Sequence, residues 1–297
     1  MAKAERFVFS RRGLLLAGAG SLMVAACGGG QQAEQAPGTT TTLAQGLSLA
    51  PVFFPQQPAG VQVRLPLALA DAQGALLDDL PTELSVRVGN ADAGDLGDPV
   101  VVERYDRGVP RAYFPLTTMF PEPGNWRIAT EVDGVPAQIM VAALEPGEVP
   151  AVPVVGEQMI SVPTPTTEDS RGVDPLCTAD PDCPLHATSL DAAIGSDKAI
   201  ALLIATPAYC QTAICGPVVD LLVSRQPEFA DVVTMIHVEV YPNEAEAGKT
   251  TTDAVRAYGL AWEPSLFLAS PDGTITQRLD YTFDERELDE ALNTLVQ

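Results

Sequence analysis

The sequence predicts two folded domains of different classes, an all-β sandwich followed by an α/β domain. From about residue 50 to residue 144, apolar and polar residues alternate with period two, which is typical of strands that bury one face. From about residue 175 to residue 297, apolar runs of strand length alternate with helical patterns, which is typical of an α/β domain. The length of 297 residues accommodates two domains of ordinary size.

The chain is strongly acidic, with a formal net charge of −22, and lysine occurs only at Lys3, Lys198 and Lys249. It contains no run of basic residues of the kind that tracks a phosphate backbone, so we expect no nucleic-acid partner. We attribute the acidity to solubility.

Residues 1–26 have the features of an export signal. Arg11 and Arg12 resemble a twin-arginine motif, and Gly13 to Ala26 is an apolar run too short to span a bilayer. Val24 to Cys27 resembles a bacterial lipobox, which implies that Cys27 is lipidated and becomes the first mature residue. The alternative is an ordinary secretory signal with a chance arginine pair. The lipobox implies an extracytoplasmic protein held at the cell membrane by a lipid anchor.

Two segments have the composition of connections. Residues 27–49 are rich in Gly, Gln, Thr and Ala and predict a flexible tether. Residues 145–174 are rich in proline and predict a semi-extended linker. The predicted sandwich, residues 50–144, lies between them, and the α/β domain, residues 175–297, follows.

The β domain shows separate sets of alternating residues. They centre on 61–69, 84–88, 126–132 and 139–143. Asp133-Gly134 is a good hairpin turn between the last two sets. Short strands without helices predict a β-sandwich, and Pro123 to Trp126 with Asp133-Gly134 resembles the late strands of bacterial immunoglobulin-like domains. We place Trp126 in the core and expect no catalytic group in this domain.

The α/β domain has its own order of elements. The patterns predict a helix at 189–194, a strand at 199–205, a helix at 217–225, a strand at 232–241, a helix at 251–258, strands at 265–270 and 274–279, and a last helix. Thr282 and Glu285 fit a capping box at its start, and Leu288, Leu292 and Leu295 form its apolar face. After the first short helix, the order is therefore βαβα and then ββα.

This order resembles that of the thioredoxin fold, and individual residues support the resemblance. Tyr209-Cys210 matches the aromatic residue and attacking cysteine, and Pro217 matches a proline of the first active-site helix. Glu263-Pro264 is similar to the cis-proline segment that faces the cysteines, and Pro271 to Gly273 is similar to the turn of the last hairpin. The resemblance implies that Cys210 is the nucleophile, Cys215 the resolving thiol and Pro264 a proline that shapes substrate docking.

The cysteine spacing differs from that of thioredoxins, which place two residues between the cysteines where this chain has four. Residues five apart in a helix are separated by about 7.5 Å along its axis, whereas a disulfide needs Cα atoms within about 7 Å. A Cys210–Cys215 bridge therefore requires Cys210 to lie in a loop before the helix. The strand that leads to Cys210 carries no acidic residue and basic neighbours are missing, so we expect the helix terminus alone to activate Cys210.

The other two cysteines, Cys177 and Cys183, lie in a loop rich in proline and aspartate and are candidates for a structural disulfide. Four cysteines besides Cys27 allow three pairings, which the sequence leaves open. His186 is expected to be an exposed loop residue and His237 a hydrogen-bonded strand residue. His237 does not fall in the segment where copper-delivering proteins of this fold carry their histidine ligand, so we predict no metal site and no cofactor.

Two functions are compatible with these observations. The first is thiol–disulfide exchange through Cys210 and Cys215, with extracytoplasmic protein thiols or disulfides as partners. The second is a redox-inert binding or scaffold lipoprotein with structural disulfides Cys177–Cys183 and Cys210–Cys215, in which the sandwich contacts the partner. Both place the protein outside the cytoplasm, in contact with the membrane only through its lipid anchor.

Overall fold

The computed structural model describes residues 46–297. The predicted signal peptide, Cys27 and most of the tether lie outside the described residues. In this region, no helix combines the length and apolar character needed to cross a bilayer.

The first domain is a β-sandwich of eight strands in two sheets. The strands are β1 (Leu47–Pro51), β2 (Gln56–Pro58), β3 (Gln62–Asp71), β4 (Glu83–Asn90), β5 (Val100–Glu103), β6 (Phe114–Met119), β7 (Gly124–Val132) and β8 (Val135–Leu144). One sheet has the order β1-β3-β6 and the other β2-β8-β7-β4-β5. Strand β1 begins inside the segment predicted to be a tether.

The sandwich core forms between the apolar faces of these sheets. Leu65, Leu67 and Phe114 from the first sheet pack with Ile128 and Val141 from the second. Alternation of side chains on each strand puts these residues inward, as the period-two pattern predicted. Trp126 is also part of this core, as predicted, and Asp133 and Gly134 both adopt positive φ in the β7–β8 turn, which a tight hairpin requires.

The second domain contains four helices and a four-stranded sheet. Its elements are α1 (Leu190–Ala193), β9 (Ala199–Ile204), α2 (Cys215–Phe229), β10 (Val233–Val238), α3 (Asp253–Ala257), β11 (Ser265–Ala269), β12 (Ile275–Asp280) and α4 (Glu285–Leu295). The sheet order is β10-β9-β11-β12. Strand β10 is parallel to β9, whereas β11 is antiparallel to both β9 and β12. This is the topology of the thioredoxin fold, so the predicted class is confirmed.

Apolar cores cover both faces of this sheet. Helices α2 and α4 cover one face with Leu222, Leu288 and Leu292. The other face packs against α1, α3 and two residues of the segment predicted to be a linker, Val152 and Met159. That segment therefore contributes side chains to the core of the α/β domain.

The start of α4 differs from the predicted capping box. The N-cap residue is Asp284, whose carboxylate accepts a hydrogen bond from the Glu287 N–H at 2.9 Å. Thr282 lies two residues before this cap, and the Asp284 N–H donates to the Tyr113 hydroxyl of the sandwich at 2.8 Å. The predicted Leu288 and Leu292 face is buried.

The two domains are joined by polar and aromatic contacts. Arg64 of β3 pairs with Glu287 of α4. Trp262, at the end of the loop before β11, stacks between Phe54 of the sandwich and Tyr281, with ring centroids 5.6 Å and 5.4 Å apart. The sandwich thus contacts both the last helix and the loop that leads into β11.

Candidate functional site

Cys210 and Cys215 lie at the junction between β9 and α2. The strand ends at Ile204, a loop carries Cys210, and Cys215 is the first residue of α2. Cys210 is half-buried, whereas Cys215 is fully buried. The prediction that Cys210 lies outside the helix is confirmed. Ala213, between the cysteines, has φ of 56°, and this left-handed turn folds the loop back toward the start of the helix.

The surroundings of the two thiols shift their pKa values in opposite directions. Hydrogen bonding from Cys215, and then from Thr212, lowers the pKa of Cys210 to about 4 against the opposing effect of burial. The Cys210 Sγ lies 3.5 Å from the Thr212 Oγ1. The pKa of Cys215 is raised, first because its thiol donates a hydrogen bond to Cys210 and second because it is buried. These shifts favour a thiolate at Cys210 and a thiol at Cys215.

The start of helix α2 is not the sole source of this lowered pKa, because Thr212 of the preceding loop also lowers it. The largest lowering of the Cys210 pKa comes from the thiol of Cys215, the first residue of α2, and the Cys215 N–H adds to it. Side-chain and backbone donors of Thr212 add to it. A partly exposed sulfur with several hydrogen-bond donors has the features of a reactive thiolate.

Glu263 and Pro264 approach the cysteines from the loop before β11. The Glu263–Pro264 peptide bond is cis, Pro264 is buried and Glu263 is half-buried. Burial raises the pKa of Glu263, and the negative charge of Cys210 raises it further. Strand β9 carries no acidic residue, as its sequence shows, and the carboxylate near Cys210 comes instead from this loop.

A second group of side chains gathers beside the same end of the sheet. The donor atoms of Cys177, Cys183, His186 and His237 all lie within 4.8 Å of one another. His237 is on β10, and the other three come from the loop before α1. His186 is only 2% exposed, so the expectation of an exposed loop residue is wrong. His237 is hydrogen-bonded within a strand, as expected. The absence of a metal site was also predicted, but these four groups form a candidate set of ligands.

A buried carboxylate connects this cluster with the Cys210 loop. Glu239 follows β10 and accepts hydrogen bonds from the Thr178 N–H at 2.7 Å and from the Thr178 hydroxyl at 2.8 Å. The same hydroxyl accepts a hydrogen bond from the Ala208 N–H at 3.1 Å. The loop of Cys177 therefore supports the loop of Cys210 through Thr178.

The sequence reasoning missed Glu239, Glu263 and the four-residue cluster. A signal for Glu263 was present, since it directly precedes the proline that was matched to the cis-proline segment. A weaker signal for the cluster was the close spacing of Cys183 and His186. Glu239 had a pattern signal as well, because it shares its strand face with His237 by period two.

A cavity of about 1190 Å³ lies elsewhere, between the sandwich and the α/β domain. Residues of β3, β12 and the segment before Met159 line it, together with Trp262, whereas Cys210 and Cys215 do not. It does not form part of the thiol site.

Comparisons with known proteins give distant structural similarities. No protein-family model matches the chain. No curated protein matches it either. Among solved structures, the chain is similar to a Chlorobium tepidum protein described as a thiol:disulfide interchange protein DsbE, at 12% identity over 48% of this chain and 99% of that chain, with a TM-score of 0.36. It is also similar to the Lin-41 filamin domain, at 20% identity over 33% of this chain and 91% of that chain, with a TM-score of 0.23.

Proposed function

We propose that the protein exchanges thiols and disulfides through Cys210 and Cys215. The observation that carries this proposal is the asymmetry of the pair: a half-buried Cys210 with a lowered pKa contacts a buried Cys215 with a raised pKa. Such a pair separates the attacking thiolate from the resolving thiol.

In the reducing direction, the Cys210 thiolate attacks one sulfur of a substrate disulfide. The substrate S–S bond breaks, a Cys210–substrate disulfide forms, and the departing sulfur takes up a proton. Cys215 then loses its proton and attacks the Cys210 sulfur, which forms the Cys210–Cys215 disulfide and releases the second substrate thiol. Two electrons pass from the cysteine pair to the substrate, and a dithiol reductant regenerates the pair. The reverse sequence oxidises a substrate dithiol.

Glu263 supplies the proton-handling group for the resolving step. Burial raises its carboxylate pKa, which brings the carboxylate closer to the range in which a base accepts a proton from a thiol, and the Cys210 charge raises this pKa further only while Cys210 is a thiolate. Once Cys210 is in a mixed disulfide, its negative charge is gone. Glu263 then takes the proton of Cys215 as that thiol attacks. Pro264 shapes the surface on which a substrate chain docks.

The proposed location is outside the cytoplasm, with the protein anchored to the membrane through lipidated Cys27. This rests on the sequence of residues 1–27, which resembles a twin-arginine signal with a lipobox. The proposed partners are protein thiols or disulfides of that compartment, because thiol–disulfide exchange proceeds there without competition from a cytosolic reducing pool.

The test is reduction of insulin disulfides by the full chain with dithiothreitol as the dithiol. We expect turnover above the background, loss of that turnover in Cys210→Ser, and accumulation of a Cys210–substrate mixed disulfide in Cys215→Ser. An equal rate for the wild type and Cys210→Ser, with a Cys210–Cys215 potential below about −300 mV, would contradict the proposal. That outcome would favour a redox-inert binding or scaffold lipoprotein.

A further inference from the structure

We infer that Cys177, Cys183, His186 and His237 form a binding site for one zinc ion. The four side chains present two sulfur and two imidazole nitrogen donors, all within 4.8 Å of one another. This inference does not depend on the proposed redox function, because none of the four residues belongs to the Cys210–Cys215 pair.

The distances between the donor atoms fit a tetrahedral ion. The Cys183 Sγ is 3.3 Å from the His186 Nε2 and 3.3 Å from the His237 Nδ1, and the Cys177 Sγ is 3.8 Å from the same Nδ1. Zn–S and Zn–N bonds of usual length at tetrahedral angles separate sulfur and nitrogen by about 3.6 Å. The three sulfur–nitrogen distances lie on either side of that value.

Burial and charge favour a divalent ion at this place. The exposed fractions are 4% for Cys177, 9% for Cys183, 2% for His186 and 0% for His237. Two thiolates and two neutral imidazoles offset the two positive charges of the ion, so the complete site is neutral. A neutral site is compatible with the apolar core that surrounds it, whereas isolated buried charges are costly.

Contacts outside the donor set orient the ligands. The Nε2 of His237 lies 3.2 Å from the Ala205 carbonyl oxygen, to which it donates when its Nδ1 is the metal-binding atom. The Cys183 N–H donates to the Cys177 Sγ at 3.3 Å, which stabilises a thiolate there. The His237 N–H donates to the Leu185 carbonyl at 2.9 Å, which fixes the loop of Cys183 and His186 against β10.

The donor set favours zinc over magnesium, calcium and a two-iron cluster. Magnesium and calcium prefer oxygen ligands, whereas a tetrahedral pair of sulfurs with a pair of nitrogens suits zinc. A two-iron cluster spreads its ligands over two metals, and donor atoms this close to one another leave room for one ion. Four protein ligands complete the tetrahedron, which is the arrangement of a structural and not a catalytic zinc.

The position of the site suggests what the ion stabilises. His237 contacts Ala205 at the end of β9, and Thr178, the neighbour of Cys177, accepts a hydrogen bond from the Ala208 N–H. Both contacts reach the loop that carries Cys210. The ion would therefore stabilise this loop through Ala205 and Ala208, without contacting Cys210.

The first experiment is metal analysis of the full chain purified without chelators. We expect about one zinc per chain in the wild type, in Cys210→Ser and in Cys215→Ser, and loss of that zinc in Cys177→Ser and His186→Gln. Circular dichroism checks that each variant folds. Zinc retained in both Cys177→Ser and His186→Gln, or one copper per chain instead of zinc, would overturn the assignment.

The second experiment does not depend on variants that fold. Reduced, metal-free wild type is titrated with Co²⁺, for which we expect saturation at one equivalent, visible bands of tetrahedral cobalt and a sulfur-to-cobalt charge-transfer band. Zinc is expected to displace the cobalt. A Cys177–Cys183 disulfide in peptide maps of the purified chain with no zinc bound, or reduced protein that gives no such bands, would overturn the proposal.

Discussion

Arg64 of the sandwich and Glu287 of the last helix form an ion pair in which the two side chains are only 11% and 12% exposed. Arg64 also donates to the carbonyl oxygens of Asp280 at 3.0 Å and Thr282 at 2.7 Å. The Tyr113 hydroxyl contacts the same Glu287 carboxylate. A single side chain of the sandwich thus satisfies three acceptors of the α/β domain.

Removal of one partner of this pair is predicted to destabilise the protein strongly. Arg64→Ala would leave Glu287 buried without its cation, which costs about 3–5 kcal/mol of unfolding free energy. Urea unfolding followed by circular dichroism measures the change. The matched control is Arg111→Ala, because the Arg111–Asp78 pair is exposed (59% and 95%) and we expect a change below about 1 kcal/mol. Equal losses in the two variants would contradict the prediction.

The reactivity of Cys210 is predicted to persist at low pH. The lowered pKa of about 4 makes this thiol a thiolate from about pH 5 upward, whereas an ordinary cysteine is protonated below about pH 8.5. In the reduced protein, iodoacetamide should alkylate Cys210 at a rate that is nearly constant from pH 9 to pH 6 and falls only toward pH 4. A rate that declines steadily below pH 8 would contradict the lowered pKa.

The hydrogen bond from Cys215 is predicted to be the largest source of this low pKa. Cys215→Ala removes the donor, so the midpoint of the Cys210 alkylation profile should move upward from about 4 toward the value of a free thiol. Cys215→Ser keeps a hydroxyl donor at the same place, and its midpoint should lie between those of Cys215→Ala and the wild type. Identical midpoints in the alanine and serine variants would exclude this cause.

Glu263→Gln is predicted to slow the resolving step without slowing the first attack. The amide cannot accept the proton of Cys215, and the loss of a general base costs about 10²-fold. The decay of a preformed Cys210 mixed disulfide should be slower in this variant. Cys210 alkylation, which does not need the base, provides the internal control. A mixed disulfide that decays at the wild-type rate would remove Glu263 from the mechanism.

Thr178→Val is predicted to uncouple the Cys177 loop from the Cys210 loop. The substitution keeps the shape of the side chain but removes the hydroxyl that donates to Glu239 and accepts from the Ala208 N–H. We expect a loss of about 1–3 kcal/mol of unfolding free energy and faster hydrogen exchange at the Ala208 amide. Thr178→Ser retains the hydroxyl and should behave like the wild type. If serine and valine give the same exchange rate, the hydroxyl does not couple the loops.

The sequence predicted the order of elements in the α/β domain because its strands and helices differ in period and length. The apolar run from Ala199 and the α4 face of Leu288 and Leu292 are examples. The short strands β1, β2, β5 and β6 were missed, because three to six residues are too few to establish a period in the sequence. The packing of Val152 and Met159 was missed because a proline-rich segment resembles a linker until a sheet face is available to cover.

The position of Cys210 before the helix was predictable on the assumption of a Cys210–Cys215 bridge, because such a bridge does not fit within one regular helix; the structure places Cys210 there with both thiols free. The proximity of Glu263 was not, since it depends on how β11 pairs with β9 and where the loop before β11 then lies. The four-residue cluster was harder still. One strand, two helices and their connecting loops separate His237 from Cys177, Cys183 and His186 along the chain. No regular spacing of ligands marks such a site in the sequence.

The stack of Phe54, Trp262 and Tyr281 has a practical consequence for dissecting the protein. Trp262 directly precedes Glu263 and Pro264, and one side of its ring is covered by the sandwich. A fragment that begins at residue 145 would lose this cover and would also leave Glu287 without Arg64. The loop of Glu263 and Pro264 would no longer be supported by the contact between Phe54 and Trp262. Thiol reactivity measured on that fragment should therefore differ from that of the full chain. Experiments on the thiol site need the sandwich to be present.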